Sequence, residues 1–350
     1  MHMSDALLSP AIGATFWTGS LAAIAYSAGK LKEQIDEKLI PLMGVLAAFI
    51  FAAQMINFII PGTGSSGHLG GGMMLAIMLG PYAGFIAIAS VLIVQSLFFA
   101  DGGILALGCN IWNIGIYPCF IAYPFIYKIV AGDTNSPKRI FLASVMSVIA
   151  GLQLGAVSVV VQTVLSGRSE LSLYTFLFFM LPIHLGIGLV EGVVTAGVVN
   201  YVRTMRPEVL ASAHESKPLS SDRSIKKVLL TFFLITVFIV GVLSWFASKN
   251  PDGLEWSLEQ MYGKSELSEQ DSRVSRALNR FQEKTAIFPD YRVKKGNEKI
   301  PGNRDTATDA TWPQAESDTT VSGLAGAFMV LCLIFALGFG IKKLKRRKNA

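Results

Sequence analysis

The chain has 350 residues, of which 52% are hydrophobic and 15% charged, with a formal net charge of +6. Soluble domains carry about 25% charged residues. A chain this apolar, with 33 Gly and 22 Phe, therefore reads as a polytopic membrane protein and excludes a soluble enzyme. Its basic residues lie in loops beside apolar stretches and form no single patch, which excludes a soluble nucleic-acid binder.

The first ten residues contain no Lys or Arg. The basic start of a signal peptide is missing, so the first apolar stretch is expected to be retained as a helix. Apolar stretches follow at about 11–29, 39–60, 69–80, 82–99, 104–131, 139–165, 172–202, 228–247 and 321–341. A span needs about 20 apolar residues, and these stretches predict nine spans. Pro81 and Gly84 interrupt the third and fourth, where a partial or tilted span is expected. Cys109, Cys119 and Cys332 all lie in apolar stretches and are expected as small buried hydrophobes, with no disulfide or CxxC site.

With the N-terminus outside and spans alternating, the inside segments hold 18 of the 30 basic residues. The short outside segments hold Arg168 alone, and the other 11 fall in 248–320, a region long enough to escape the charge rule. The expected topology is N-terminus out and C-terminus cytoplasmic, in the cell membrane. The fold expected is all-α: a seven-span bundle over 1–203, then a polar cytoplasmic linker over 204–224 with Pro207 and Pro218. A second unit over 225–350 has a span at 228–247, an extracytoplasmic region at 248–320, a span at 321–341 and the basic tail KKLKRRK. Within that region Leu267, Val274, Leu278 and Phe281 fall near one face of a helix, and 290–320 is polar and reads as a tether.

Four histidines occur: His2, His68, His184 and His214. His214 falls in the linker and is expected to be solvated. With Met1 kept, the start of the chain offers an amine, the His2 amide and the His2 imidazole. These close five- and six-membered chelate rings, a planar nitrogen set suited to Ni(II) or Cu(II). Binding to such a set releases protons. A fourth nitrogen is required. His68 is the candidate, in the glycine-rich stretch 61–72, on the same outside face as Met1.

His184 and Glu191 are seven apart, hence on one helical face, and read either as support for the site or a partner contact, or as a polar pair satisfied mutually or by backbone. Gln95, Asp101 and Asn110 surround an Asp-Gly-Gly turn and could orient a ligating histidine or hydrogen-bond between helices. Two other chemistries have partial motifs. Gly263-Lys264-Ser265 ends like a phosphate-binding loop, but Leu258 stands where its first Gly belongs, so no nucleotide is expected on this chain. Ser66 with His184 would suit an intramembrane serine protease, a reading carried by a four-residue motif alone.

The segments MHMSDALLSP at 1–10, GSSGHLGGG at 64–72, DGG…ALGCN at 101–110 and His184…Glu191 together resemble the CbiM/NikM family of nickel/cobalt substrate-capture (S) components of energy-coupling factor transporters. The likeness covers about 1–203. Pro251-Asp-Gly-Leu-Glu resembles the PDGLE segment of the accessory N component, which makes the chain similar to an M–N fusion. The resemblance implies a transporter subunit, not an enzyme, that captures nickel or cobalt from outside. A transmembrane T component and two ATPase subunits on other chains would be its partners. By the family pattern the ligands are Met1, His2 and His68. Ala6, Met3 and Ser4 depart from the family's more usual Gly, Ile and Pro. Planar geometry and PDGLE favour nickel over cobalt; a stand-alone secondary carrier is the remaining alternative.

Overall fold

The computed structural model describes residues 2–132, 136–167, 173–219, 224–265, 267, 272–294 and 317–349, the last helix with side chains to 345. Met1, Arg168 and 295–316, which includes most of the expected tether, lie outside the described residues. Among the described residues the architecture is helical, apart from one hairpin of two-residue strands.

After a 3-10 turn at Asp5–Leu7, α1 spans Pro10–Gln34. Ser9 caps it, accepting from the Ile12 N–H, with Pro10 in its first turn; proline there forfeits a donor that has no partner in the helix anyway. Helix α2 spans Leu39–Gln54 and is buried almost throughout. The chain then forms an antiparallel hairpin, β1 (Phe58–Ile59) with β2 (Ser66–Gly67), Phe58 opposite Gly67. Helix α3 is only Gly72–Leu79, entirely buried; eight residues rise about 12 Å, so the stretch 69–80 is a partial span. Helix α4 follows at Pro81–Phe99.

Helix α5 (Leu107–Ile111), a π-helical stretch (Trp112–Tyr127) and α6 (Lys128–Ala131) run on as one helix. Pro118 and Pro124 sit inside the π stretch; each lacks the N–H for an i→i−4 bond and crowds the preceding turn, conditions that favour a widened helix. Helices α7 (Pro137–Leu165) and α8 (Leu173–Met205) pack against each other, and α7 also packs on the π stretch.

Among the described residues five helices are long and apolar enough to cross a membrane by themselves: Pro81–Phe99, Leu107–Ala131, Pro137–Leu165, Leu173–Met205 and Ser317–Lys345. This is a multi-pass membrane protein. Helix α2 has 16 residues, a rise of about 24 Å, less than the ~30 Å apolar core.

The expectation for 204–224 is corrected. The stretch 204–224 is not a bare linker: α9 (Pro207–Glu215) buries Val209, Leu210 and Ala213 and packs on α3 and α8. The Leu219 N–H is held by Asp36 at 2.6 Å. His214 there receives Lys128 Nζ on its carbonyl at 2.8 Å.

In the second unit, α10 (Lys226–Gly241), α11 (Gly253–Tyr262), α12 (Arg273–Thr285) and α13 (Ser317–Asn349) follow in order. Helix α10 packs on α2, and α13 on α2 and α4. The expected apolar face of α12 holds only in part: Leu278 and, ahead of the helix, Leu267 pack against the core, whereas Val274 and Phe281 are exposed, at 48% and 51%. Beside Leu278 the inward face carries Ser275 and Gln282. The Gln282 amide donates to Ser96 O at 2.9 Å and Gly102 O at 2.8 Å, so polar contacts set the rotation of α12. Cys109 and Cys119 are buried as expected; Cys332 is exposed on α13.

Candidate metal centre

One end of the bundle gathers the N-terminal segment, the hairpin loop before α3, the α4–α5 turn, the turn before α11 and residues 286–294. The N-terminal segment is pinned by short polar contacts. The Met3 N–H donates to Asn110 Oδ1 at 2.8 Å, Asn110 Nδ2 returns a bond to Met3 O at 3.3 Å, and the Gly103 N–H also meets Met3 O at 3.0 Å. Asp5, buried, accepts the Ala106 N–H at 2.9 Å. A side chain on Gly103 would run into the Asp5 carboxylate, so glycine is required there by close approach.

This segment presents His2. Its ring stacks on that of His68, centroids 5.0 Å apart and planes within 10°. His2 Nδ1 meets Asp101 Oδ1 at 3.1 Å, and its Nε2 is buried without a hydrogen-bond partner among the described residues. The second oxygen of Asp101 accepts the Tyr291 hydroxyl at 2.6 Å. Partial burial by itself would raise the Asp101 carboxyl; the charge and hydrogen bond of His2, with the Tyr291 hydroxyl, overcome it and hold it well below the usual carboxylate range.

His68 is fixed by its own loop. Its Nδ1 faces Leu69 O at 3.0 Å, the pairing that places the proton on Nδ1 and leaves the Nε2 lone pair free. Burial pushes its imidazole down to about 3, which keeps the ring neutral, the form that binds metals. Beneath the loop, Glu191 on α8 accepts the Gly70 and Gly71 N–H groups at 2.7 and 2.8 Å. Gly71 has φ +77, a left-handed conformation that glycine adopts freely. Glu191 is therefore a clamp on the His68 loop and not the partner of His184.

His184 Nδ1 donates to Met180 O at 2.8 Å, while its buried Nε2 has no hydrogen-bond partner among the described residues. It borders a cavity of about 10 Å³ with His68, Asp252 and Gly253, room for about one water. Ser66 bonds elsewhere: its hydroxyl donates to Asn250 O at 2.7 Å and its N–H to Pro251 O at 2.8 Å. No Ser66–His184 hydrogen bond is formed: the Ser66 hydroxyl is committed to Asn250 O.

The turn 251–255 gives each of its residues a physical role. The Pro251 carbonyl receives Ser66. Asp252 caps α11, accepting from the Leu254 and Glu255 N–H groups, and Glu255 reaches back to the Asp252 N–H at 3.0 Å. This is a reciprocal capping box. Gly253 lies so near Ile183 and His184 that a Cβ would stand 2.8 and 3.1 Å from them. Leu254 is buried.

Of the residues singled out by sequence, His2, His68, Asp101, Asn110, His184 and Glu191 gather at this end. Gln95 lies beside them, bonded to Gln54 at 2.7 Å. Met1 lies outside the described residues. Asp252 and Tyr291 were missed: the D-x-x-E spacing could have flagged Asp252 as a helix cap, but nothing in the local sequence marks Tyr291. Among the described residues no trio of His, Cys, Asp or Glu is placed to hold a metal ion.

The family model described as "Cobalt uptake substrate-specific transmembrane region", CbiM, matches residues 2–209. The chain belongs to the CbiM family. A second family model, the PDGLE domain, matches 226–343. A protein named as a fused nickel transport protein, NikMN, from Archaeoglobus fulgidus is 41% identical over 210 residues, 60% of this chain and 68% of its own length. LarMN of Lactiplantibacillus plantarum, named as a fused nickel transport protein, is 28% identical over 306 residues, 84% of this chain and 89% of its own. A crystal structure described as a truncated transition metal transporter superposes with a TM-score of 0.52 at 30% identity, covering 59% of this chain and 99% of that one. The CbiM region thus supplies both histidines, and the PDGLE domain supplies the turn seated over His68.

Proposed function

We propose that this chain captures nickel, or cobalt, as the substrate-binding subunit of an ATP-driven energy-coupling factor transporter. The observation that carries the reading is the stacked His2–His68 pair, which sets two imidazoles face to face at one buried point. The ligands are the Met1 amine, the amide and Nδ1 of His2, and Nε2 of His68. Amine and amide close a five-membered ring on the metal; amide and Nδ1 close a six-membered one. A tetragonal d⁸ ion suits such a set and Zn(II) does not. Nickel is the first choice among the substrates named for the relatives.

Loading has one visible requirement. His2 Nδ1 faces Asp101, so the metal must displace the carboxylate from that atom. A half-turn of the ring about Cβ–Cγ exchanges Nδ1 with Cδ2 and brings Nε2 to the corner next to Asp101. The carboxylate then accepts from Nε2–H and orients the ligating ring.

The N-terminus and the PDGLE domain face the outside, and the basic tail the cytoplasm, in keeping with the distribution of Lys and Arg. ATP hydrolysis belongs to two ATPase chains acting through a T component. The PDGLE domain assists loading of the N-terminal segment. The test is nickel uptake in cells with and without the ATPase and T subunits. Uptake that requires them supports the reading; full uptake by this chain alone would make it a secondary carrier. Unchanged uptake after deletion of 225–350 would remove the loading role.

A further inference from the structure

We propose that Tyr291, from the PDGLE half, is a positioning residue for the metal site: its hydroxyl ties the His2 side of the site to the His68 side. The inference rests on the reading of His2 and His68 as ligands and adds a residue to it. The Tyr291 hydroxyl donates to Asp101 Oδ2 at 2.6 Å, and Asp101 Oδ1 meets His2. The same hydroxyl lies 3.4 Å from Gln95 Nε2, which donates to Gln54 Oε1 at 2.7 Å. Gln54 Nε2 in turn donates to Gly70 O at 2.8 Å, two residues beyond His68, and the Gly70 and Gly71 N–H groups end on Glu191. A run of hydrogen bonds thus passes from one proposed ligand to the loop of the other. Its middle member comes from the second half of the chain.

The phenol is held firmly. Its ring lies 5.0 Å from Phe99 and 6.1 Å from Phe51. Its carbonyl accepts the Ser322 hydroxyl at 2.6 Å, and the neighbouring Phe288 N–H donates to Phe98 O at 2.9 Å. Asp290 and Tyr291 both adopt left-handed backbone, φ 49 and 59, which non-glycine residues avoid unless their surroundings impose it. The turn is bent against its preference, and its product is a hydroxyl aimed at Asp101.

The experiment uses the full chain in lipid nanodiscs, titrated with Ni(II) and followed by affinity, the visible ligand-field band and thermal stability. Tyr291→Phe keeps the aromatic packing and removes one oxygen. It is expected to weaken nickel binding about 10- to 100-fold, the usual effect of losing a partner behind a metal ligand, and to shift the band with stability nearly unchanged. In the Asp101→Ala background, Tyr291→Phe is expected to add nothing, since it acts through that carboxylate. Wild-type affinity and band in Tyr291→Phe, or effects that simply add, overturn the proposal. Phe288→Leu guards against a packing effect: if it moves the band as Tyr291→Phe does, the proposal falls. Failure of the unaltered chain to bind nickel would instead sink the metal reading itself.

Discussion

His2 and His68 bring like rings to one point, yet their supports differ in kind. The backbone around His2 is held within the CbiM region by Asn110, the Gly103 amide and the contact of Asp5 with Ala106. The His68 loop is gripped from two sides: a carboxylate on α8 beneath, and carbonyls at Asn250 and Pro251 of the PDGLE half above. The backbone that carries His2 is mounted by the first half, and the second half reaches its ring only through Asp101 and Tyr291; the His68 loop is bonded directly by both halves. A fused chain keeps the second support at high local concentration, since the partner cannot diffuse away.

The comparison can be broken most severely at the ligand itself. His68→Ala should lower nickel affinity by more than the ~100-fold typical of losing a supporting group, with the fold intact, as read by titration calorimetry and thermal melting. Glu191→Gln comes next. It leaves one of the two glycine N–H groups facing an amide NH₂, and should cost about 2–3 kcal/mol of stability by loss of a charge-assisted bond, seen as a lowered Tm together with weaker nickel binding.

Gly103→Ala attacks the other support alone. Its Cβ collides with Asp5, and overpacking of about 1–3 kcal/mol should weaken nickel binding while leaving the His68 loop protected in hydrogen exchange. The smallest effect is expected for Ser66→Ala. Losing its hydroxyl bond to Asn250 should cost about 0.5–1.5 kcal/mol and change nickel affinity less than tenfold, whereas a serine protease would lose its activity outright.

What the sequence discloses here divides by the range of the interaction. The apolar stretches disclose the helical class, and the spacing of His184 and Glu191 shows a shared face. The residue chemistry of His2 and His68 brings both to one end. The rest depends on contacts between distant segments. Asn250 and Pro251 act through carbonyls, which every residue has, so no side-chain pattern could single them out. Tyr291 is one of nine tyrosines, and only the turn at 290–291 aims it at Asp101. The inward face of α12 is legible only in part for a related reason: Leu278 packs inward as the pattern predicts, but Gln282 bonds Ser96 O and Gly102 O, and Val274 and Phe281 stay exposed. The short α3 was hidden because an apolar run shows burial, not length.

The most direct measurement of the central claim adds one residue ahead of Met1 and titrates the full chain with Ni(II). Every side chain stays in place, but the amine moves out of the five-membered ring with the His2 amide. The account predicts a drop in affinity comparable to that of His68→Ala, together with a changed ligand-field band. Nickel binding of undiminished strength with the band unmoved would contradict it.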